Sequence, residues 1–305
     1  MNETQKQPDK NKALMAVKKE TADAVLTRVQ SFQKNGELDL PPNYSAANAL
    51  KSAWLMLQDV KDKNDKPALD VCTRHTVANA LLDMVVQGLN PAKKQCYFIV
   101  YGNKLVMQRS YFGAKAVCMR VDKTLDDIFA EVVYQGDELE YSIDRGRRVI
   151  EQHRQKLENI DDDKIVAAYA VAIDKQGNVK RSELMTMDQL KAAWKQSKMY
   201  PIDDKGNIKA SSTHGKFTAE MAKKTVTNRL SKHIINVSSD SDLLIQSVRR
   251  TDEEAAEAEA QAEVEDYANS GEVIDIGETK SIEHEPEQEE SPEKEPETVE
   301  GGPGF

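Results

Sequence analysis

Apolar positions recur every three or four residues through the first third of the chain, the spacing that places them on one face of a helix. Turn-forming residues, among them Gly36 and the pair Pro41-Pro42, separate these periodic stretches. The pattern predicts helices over residues 13–32, 45–60 and 73 (or 76) to 86. Residues 1–12 are polar, and we expect them to form a disordered arm.

The pattern changes to a period of two between residues 95 and 109. Gly102-Asn103 divides this stretch into two strands and suits a two-residue hairpin turn. Across that turn Tyr97 pairs with Gln108, so one face collects apolar side chains and the other is wet, cationic and aromatic. The apolar face holds Cys96, Phe98, Val100, Leu105 and Met107, and the wet face holds Tyr97, Tyr101, Lys104 and Gln108. Ser110 is placed to cap the helix that follows.

Two further turn sequences predict two more hairpins. The predicted strands cover residues 128–134 and 139–143, then residues 165–173 and 179–185. Because the stretch at 165–173 has no polar face, we expect a central strand there. Helices are predicted over residues 188–198 and 215–236, separated by a long polar loop, and a last helix begins near residue 240 or 241. The predicted fold class is α+β, with a single compact core of antiparallel hairpins and packed helices over residues 13–250.

Charge divides the chain into a basic body and an acidic tail. Residues 251–305 hold twenty acidic side chains and two lysines, a net charge of −18, which leaves +8 on residues 1–250. Beyond Tyr267 the composition offers too little apolar surface to fold, so residues 251–305 are predicted to be the acidic end of a helix and a disordered tail. A basic body suits a nucleic-acid binder, although such a charge is also common on other proteins. Three roles are open for the tail. It recruits a partner, it competes with DNA for the basic body, or it keeps the chain soluble, which is usual for such acidic runs.

Sequence motifs of catalysis are missing. The chain has no GxxxxGKS/T phosphate loop, no GxGxxG, no HExxH and no GxSxG, and its five histidines lack ligand spacing. Three cysteines without a CxxC pair argue against a zinc site and fit a reducing cytoplasm, and no apolar run is long enough to cross a bilayer. Acidic runs at 126–127 and 161–163 keep a metal-dependent nuclease as an alternative, but such runs are usually solvated. We expect no enzyme and no cofactor.

Residues 88–120 concentrate the chemistry that holds single-stranded nucleic acid. Cations follow the phosphates of such a strand, and bases stack on flat side chains. The segment supplies Lys93, Lys94, Lys104, Arg109, Lys115 and Arg120, interleaved with Tyr97, Tyr101, Tyr111 and Phe112. The alternative is that the aromatic side chains fill the core and the lysines form a solvated face.

Two segments resemble the RecT family of phage single-strand annealing recombinases. They are GLNPAKKQCYFIVYGNKLVMQRSYFG, residues 88–113, and FTAEMAKKTVTNRLSK, residues 217–232. The similarity spans most of residues 46–243. It implies an ATP-independent protein that coats single-stranded DNA, assembles into rings or helical filaments, and pairs the strand with its complement in phage recombination. A passive single-strand protector without annealing activity remains the alternative from the same class.

The resemblance also implies partners: an exonuclease that generates the single strand, the single-stranded-DNA-binding protein of the bacterial host, and further copies of this chain. Magnesium, where it is bound, is expected to come with the DNA, and the expected location is the host cytoplasm. The residues and the resemblance together give one set of candidate DNA-binding positions. The set is Lys93, Lys94, Gln95, Tyr97, Lys104, Gln108, Arg109, Tyr111, Lys115, Arg120, Lys216, Lys223, Lys224 and Arg229.

Overall fold

The computed structural model describes residues 6–196, 201–238 and 243–269. The helices in these ranges are α1 Lys6–Lys34, α2 Ala46–Leu57, α3 Ala68–Val71, α4 Arg74–Val86, α5 Tyr111–Val121, α6 Met187–Lys195, α7 Thr213–Lys216, α8 Thr218–Asn236 and α9 Leu243–Asn269. The strands are β1 Cys96–Tyr101, β2 Lys104–Arg109, β3 Leu125–Tyr134, β4 Glu138–Asp144, β5 Arg147–Arg154, β6 Ile165–Asp174 and β7 Val179–Thr186. All the strand pairs are antiparallel, so the α+β prediction is confirmed.

The first hairpin has the predicted register and the predicted buried face. Tyr97 lies opposite Gln108 in the β1–β2 pair. The face that holds Cys96, Phe98, Leu105 and Met107 is buried, whereas Tyr97 and Lys104 are exposed. Val106 is also buried, although it belongs to the other face. The wet face of this hairpin is therefore partly covered.

The central sheet has the strand order β3-β6-β7, which confirms β6 as a central strand. Three alanines of β6, Ala168, Ala170 and Ala172, have no exposed surface and face α8. Their small side chains let the apolar stripe of α8 approach the sheet closely. That stripe includes Ala222, Val226 and Leu230, all fully buried.

The second predicted hairpin is wrong. Strand β3 pairs with β6, while β4 pairs with β5, a strand that the hydrophobic pattern does not predict. Gly136, with φ +97°, turns the chain away from the sheet at the end of β3. Strand β4 is exposed along nearly its whole length, although Leu139, Tyr141 and Ile143 alternate with polar residues along it. We call residues 135–164, which contain β4 and β5, the insertion.

Helix boundaries differ from the predictions in three places. Helix α1 begins at Lys6, so residues 6–12 continue the helix; Pro8 lies in its first turn, where a missing N–H costs nothing. Helix α6 is capped by Thr186 through a capping box, so it begins at Met187 rather than at residue 188. Phe217 separates α7 from α8, so the helix predicted to start at residue 215 begins three residues later.

Helix α9 joins the body to the acidic end of the chain. Its first turns bury Leu244, Ile245 and Val248 in the core, and Thr251 is buried as well. The same helix continues through the acidic residues to Asn269. The start predicted near residue 240 and the tail from residue 270 lie outside the described residues.

Candidate nucleic-acid interface

Helices α5 and α8 lie side by side and run in the same direction. Near the end of α5, the Cys118 thiol donates a hydrogen bond to the carbonyl of Ser231, far along α8, over 3.6 Å. Near the start of α5, burial and Glu220 in the first turn of α8 raise the pKa of Tyr111, while Lys223 opposes the rise. The two helices therefore begin at the same end of the molecule.

The start of α5 is joined to the residues that precede β1. Ser110 caps α5 by accepting a hydrogen bond from the Gly113 N–H, as predicted, and its hydroxyl donates to the carbonyl of Lys94 over 2.6 Å. A side-chain carbon at Gly113 would lie 2.0 Å from the carbonyl oxygen of Gln95, so only glycine permits this approach. Gln95 is thus a backbone anchor here, and its side chain also accepts from the N–H of Asn90.

Exposed cations and exposed aromatic rings gather at this end. Phe112, which stacks on Tyr111 with ring centroids 4.0 Å apart, is 45% exposed, and Phe217 is 58% exposed. The cations beside them are Lys93, Lys94 and Lys216, all exposed. We call Lys93, Lys94, Phe112, Lys216 and Phe217 the aromatic end. Tyr97, two residues beyond Gln95, is 40% exposed and extends it.

Three other predicted lysines lie near this end but are engaged within the molecule or half-buried. Lys115 forms an ion pair with Asp127 over 2.8 Å and approaches the ring of Phe129. Lys223 pairs with Glu131 over 3.0 Å. Lys224 is half-buried, and burial of His214, followed by the charge of Lys224, lowers the pKa of His214. Acidic side chains of β3 therefore neutralise part of the predicted basic surface.

Arg109 lies under α9 rather than in the solvent-facing set. Its guanidinium donates to the side chains of Gln87 and Thr251 and forms an ion pair with Asp252 over 2.5 Å. Its side chain is 9% exposed. Lys104 is exposed, but it faces α9 closely enough to oppose the rise that burial and Asp83 cause in the pKa of Glu254.

Three more predicted residues hold parts of the fold together. Arg120 donates to the backbone carbonyls of Val86 and Asp39 over 2.8 and 2.6 Å. Gln108 donates to the Tyr101 hydroxyl over 3.4 Å. Arg229, in the second half of α8, pairs with Glu183 of β7 over 3.0 Å. The structure thus brings one part of the predicted set to the aromatic end and places Arg109, Arg120 and Arg229 elsewhere.

A basic cleft that the prediction missed lies beside Arg229. It has a volume of about 810 Å³ and separates the turn of the β4–β5 hairpin from β7. Arg147, Arg148, Lys180 and Arg181 line it from both walls. The sequence does contain the two basic runs that form these walls, DRGRR at residues 144–148 and KR at residues 180–181. Because the hydrophobic pattern does not predict β5, it also does not predict that the two basic runs face each other.

The acidic runs that left a nuclease open are separate in the structure. Asp127 pairs with Lys115 near the start of β3, whereas Asp162 accepts from the Tyr134 hydroxyl and from the N–H of Ala219 at the other end of that strand. Among the described residues, no group of three or more histidine, cysteine or acidic side chains is arranged to hold a metal ion.

The comparison with protein families agrees with the resemblance of residues 88–113 and 217–232 to the RecT family. The family model described as RecT family matches residues 47–267, which include all but the first residue of α2, all but the last two residues of α9 and every element between them. Among curated proteins, none matches the chain. In the described part of the chain, no helix has the length and apolarity needed to cross a membrane. Since the family match covers more than half of the chain, this protein belongs to the RecT family, the single-strand annealing proteins of DNA recombination.

Proposed function

We propose that the protein binds single-stranded DNA and anneals complementary strands without ATP, in phage homologous recombination. The observation that supports this is the aromatic end, where exposed lysines stand beside exposed rings within the family-matched segment. Lysines neutralise phosphates, and rings such as Phe112 and Phe217 offer surfaces on which bases stack. Neutralised strands repel each other less, and duplex formation is itself downhill, so no nucleotide hydrolysis is needed.

The proposed assembly is an oligomer, in rings or helical filaments, with a basic groove that continues from one protomer to the next. At the aromatic end of one protomer, Lys93, Lys94 and Lys216 supply three positive charges, a small number against a strand with a phosphate at every nucleotide. Several copies side by side would multiply these contacts along one strand. The proposed partners are a phage exonuclease and the single-stranded-DNA-binding protein of the host, in the host cytoplasm, with magnesium bound only together with DNA.

The annealing rate of two complementary, dye-labelled oligonucleotides tests the proposal. Without ATP, the full chain should accelerate annealing many-fold over the spontaneous rate. The variant Lys94→Gln/Lys216→Gln should lose about tenfold in binding or more, because each lost phosphate contact weakens binding and its salt dependence. The matched control Lys51→Gln/Lys66→Gln removes two exposed cations elsewhere and should behave like the wild type.

Two outcomes would replace the proposal with its alternatives. Tight binding without acceleration would make the protein a passive protector of single strands. Cleavage of the oligonucleotides that depends on magnesium would identify a nuclease.

A further inference from the structure

The basic cleft has cations on both walls. Arg147 and Arg148 come from the hairpin turn of the insertion, and Lys180 and Arg181 come from the first half of β7. His233, close to the end of α8, also lines the cleft. The Arg148 guanidinium donates to the Leu184 carbonyl over 2.8 Å, and that of Arg181 donates to the His233 carbonyl over 3.2 Å. These backbone contacts fix the positions of two arginines while leaving them part-exposed or exposed.

The carboxylates near the cleft do not neutralise it. Glu183 is mostly buried and is shared by Arg148, Arg229 and His233. Asp144 lies between Arg145 and Arg147, and Asp122 pairs with Lys180. Six arginine and lysine side chains therefore surround three carboxylates. They are Arg145, Arg147, Arg148, Lys180, Arg181 and Arg229. The cleft keeps an excess of positive charge that an anionic ligand would balance.

The cleft also exposes apolar side chains. Ile143 is 69% exposed on the hairpin wall, and Val179 is 44% exposed on the wall of β7. Both line the cleft together with the arginines. A ligand that combines negative charges with apolar groups matches this lining. A single strand of nucleic acid has both features, because phosphates alternate with sugars and bases along it.

We propose that the basic cleft binds the sugar–phosphate backbone of single-stranded DNA as a second contact surface, separate from the aromatic end. This inference rests on the proposed function. Thr218 and His233 are fifteen residues apart on α8, so the two surfaces are separated by about 22 Å along that helix. Each protomer then holds DNA at two places, and removing the cleft weakens binding without touching the aromatic end.

The test is the salt dependence of binding, measured by fluorescence anisotropy with a labelled single-stranded oligonucleotide and the full chain. In Arg147→Gln/Arg181→Gln, the slope of log affinity against log salt concentration should flatten by about 1.4, because each lost phosphate contact on a single strand contributes about 0.7. The control Arg154→Gln/Lys156→Gln removes two exposed cations of the same insertion that do not line the cleft, and its slope should equal that of the wild type.

A second variant protects the test against a folding artefact. Arg147→Lys/Arg181→Lys keeps both charges and should restore most of the slope, whereas a variant that had merely disturbed the insertion would not be rescued. The cleft assignment is wrong if Arg147→Gln/Arg181→Gln has the same salt slope as the wild type. It is also wrong if this variant loses affinity for an acidic peptide but not for single-stranded DNA. A wild type that binds but does not anneal overturns the proposed function while leaving the cleft to be judged by its slope. A wild type that binds no DNA overturns both.

Discussion

Arg109 faces the interior because its position in the β1–β2 register is opposite Cys96, on the buried face of the hairpin. Residues at the start of α9 then close over it. Its guanidinium donates a hydrogen bond to the side-chain oxygen of Gln87. The side-chain nitrogen of Gln87 in turn donates to the carbonyl and the hydroxyl of Ser247. In the same region Arg250 pairs with Asp83, which has no exposed surface. A network of hydrogen-bonded polar side chains thus holds α9 on α4 and β2.

Replacing Arg109 with alanine should therefore change stability more than DNA binding. We expect the free energy of unfolding to fall by about 2 to 3 kcal/mol, because Gln87 and Asp252 lose a buried partner. Urea unfolding measures this, and Lys104→Ala, at an exposed position of the same strand, is the control and should lie within about 0.5 kcal/mol of the wild type. An Arg109→Ala chain as stable as the wild type, but with a flatter salt slope in DNA binding, would return Arg109 to the interface.

The register of the first hairpin is enough to place Arg109 on the buried face. The predicted pairs, continued by one step, put Arg109 beside Cys96 on the apolar face. Arg120 and Arg229 are different, because their partners are backbone carbonyls and a carboxylate from distant parts of the chain. A long arginine side chain near a basic motif does not reveal from sequence whether it meets phosphate or protein.

The hairpins show where hydrophobic patterning succeeds and where it fails at the level of elements. The first and third are joined by short turns, at Gly102-Asn103 and at residues 174–178, and both were predicted correctly. In the failed case the true partner of β3 begins about thirty residues later in the chain. The turn residues alone predict that β3 pairs with the next strand along the chain. In the structure β3 pairs with β6 instead, and this pairing buries Ile128 and Val132 of β3 in the core, where β3 packs against α8.

Asp137 holds together the base of the insertion. Its carboxylate has no exposed surface and accepts from the Tyr134 N–H and from His153, Gln155 and Asn159, over 2.9 to 3.2 Å. Burial opposes the charge, but these hydrogen bonds outweigh it and lower the pKa of Asp137 from 3.8 to about 2.

This lowered pKa predicts an acid-sensitive contribution to stability. A carboxylate whose pKa is lower in the folded chain stabilises the fold above its unfolded pKa, and the stabilisation is lost as pH falls from about 4 towards 2. Asp137→Asn should cost about 2 kcal/mol of unfolding free energy at pH 6, and the difference from the wild type should vanish near pH 2. Urea unfolding at the two pH values measures both.

A second variant tests the cause of the shift. Asn159→Ala removes one donor, so the acid-dependent loss of stability should move to higher pH. If the gap between Asp137→Asn and the wild type were the same at pH 6 and at pH 2, the contribution would come from packing and not from ionisation.

At the scale of the whole molecule, the distribution of charge matters more than its sum. Residues 1–267 contain forty basic and forty acidic side chains and so carry no net charge, and the entire −10 belongs to residues 268–305. Proteins without net charge associate and precipitate readily. We therefore expect the acidic end of the chain to keep the protein soluble, an effect that requires no contact with the body.

Deleting residues 268–305 should accordingly lower solubility and leave the affinity for single-stranded DNA unchanged. Static light scattering reports the first effect and anisotropy at about 0.1 M salt reports the second, where charges more than roughly 10 Å apart are largely screened from each other. Binding that becomes tighter after the deletion would show instead that these residues compete with DNA for the basic body.

The insertion leaves the core sheet after β3 and returns to it at β6, so the strand pairing of the core does not depend on it. Tyr134 and Ile165 are partners across the sheet, and the Gln135 N–H donates to the Lys164 carbonyl over 2.8 Å, so the chain leaves the sheet and returns at adjacent positions. In topology the core is a hairpin with an unusually long loop, whose closure costs only about 2 kcal/mol more than that of a two-residue turn. The order and pairing of the core strands do not pass through the insertion, although Arg148 and Ser182 join it to β7, so we expect a chain with a shortened insertion to keep the β3-β6-β7 sheet.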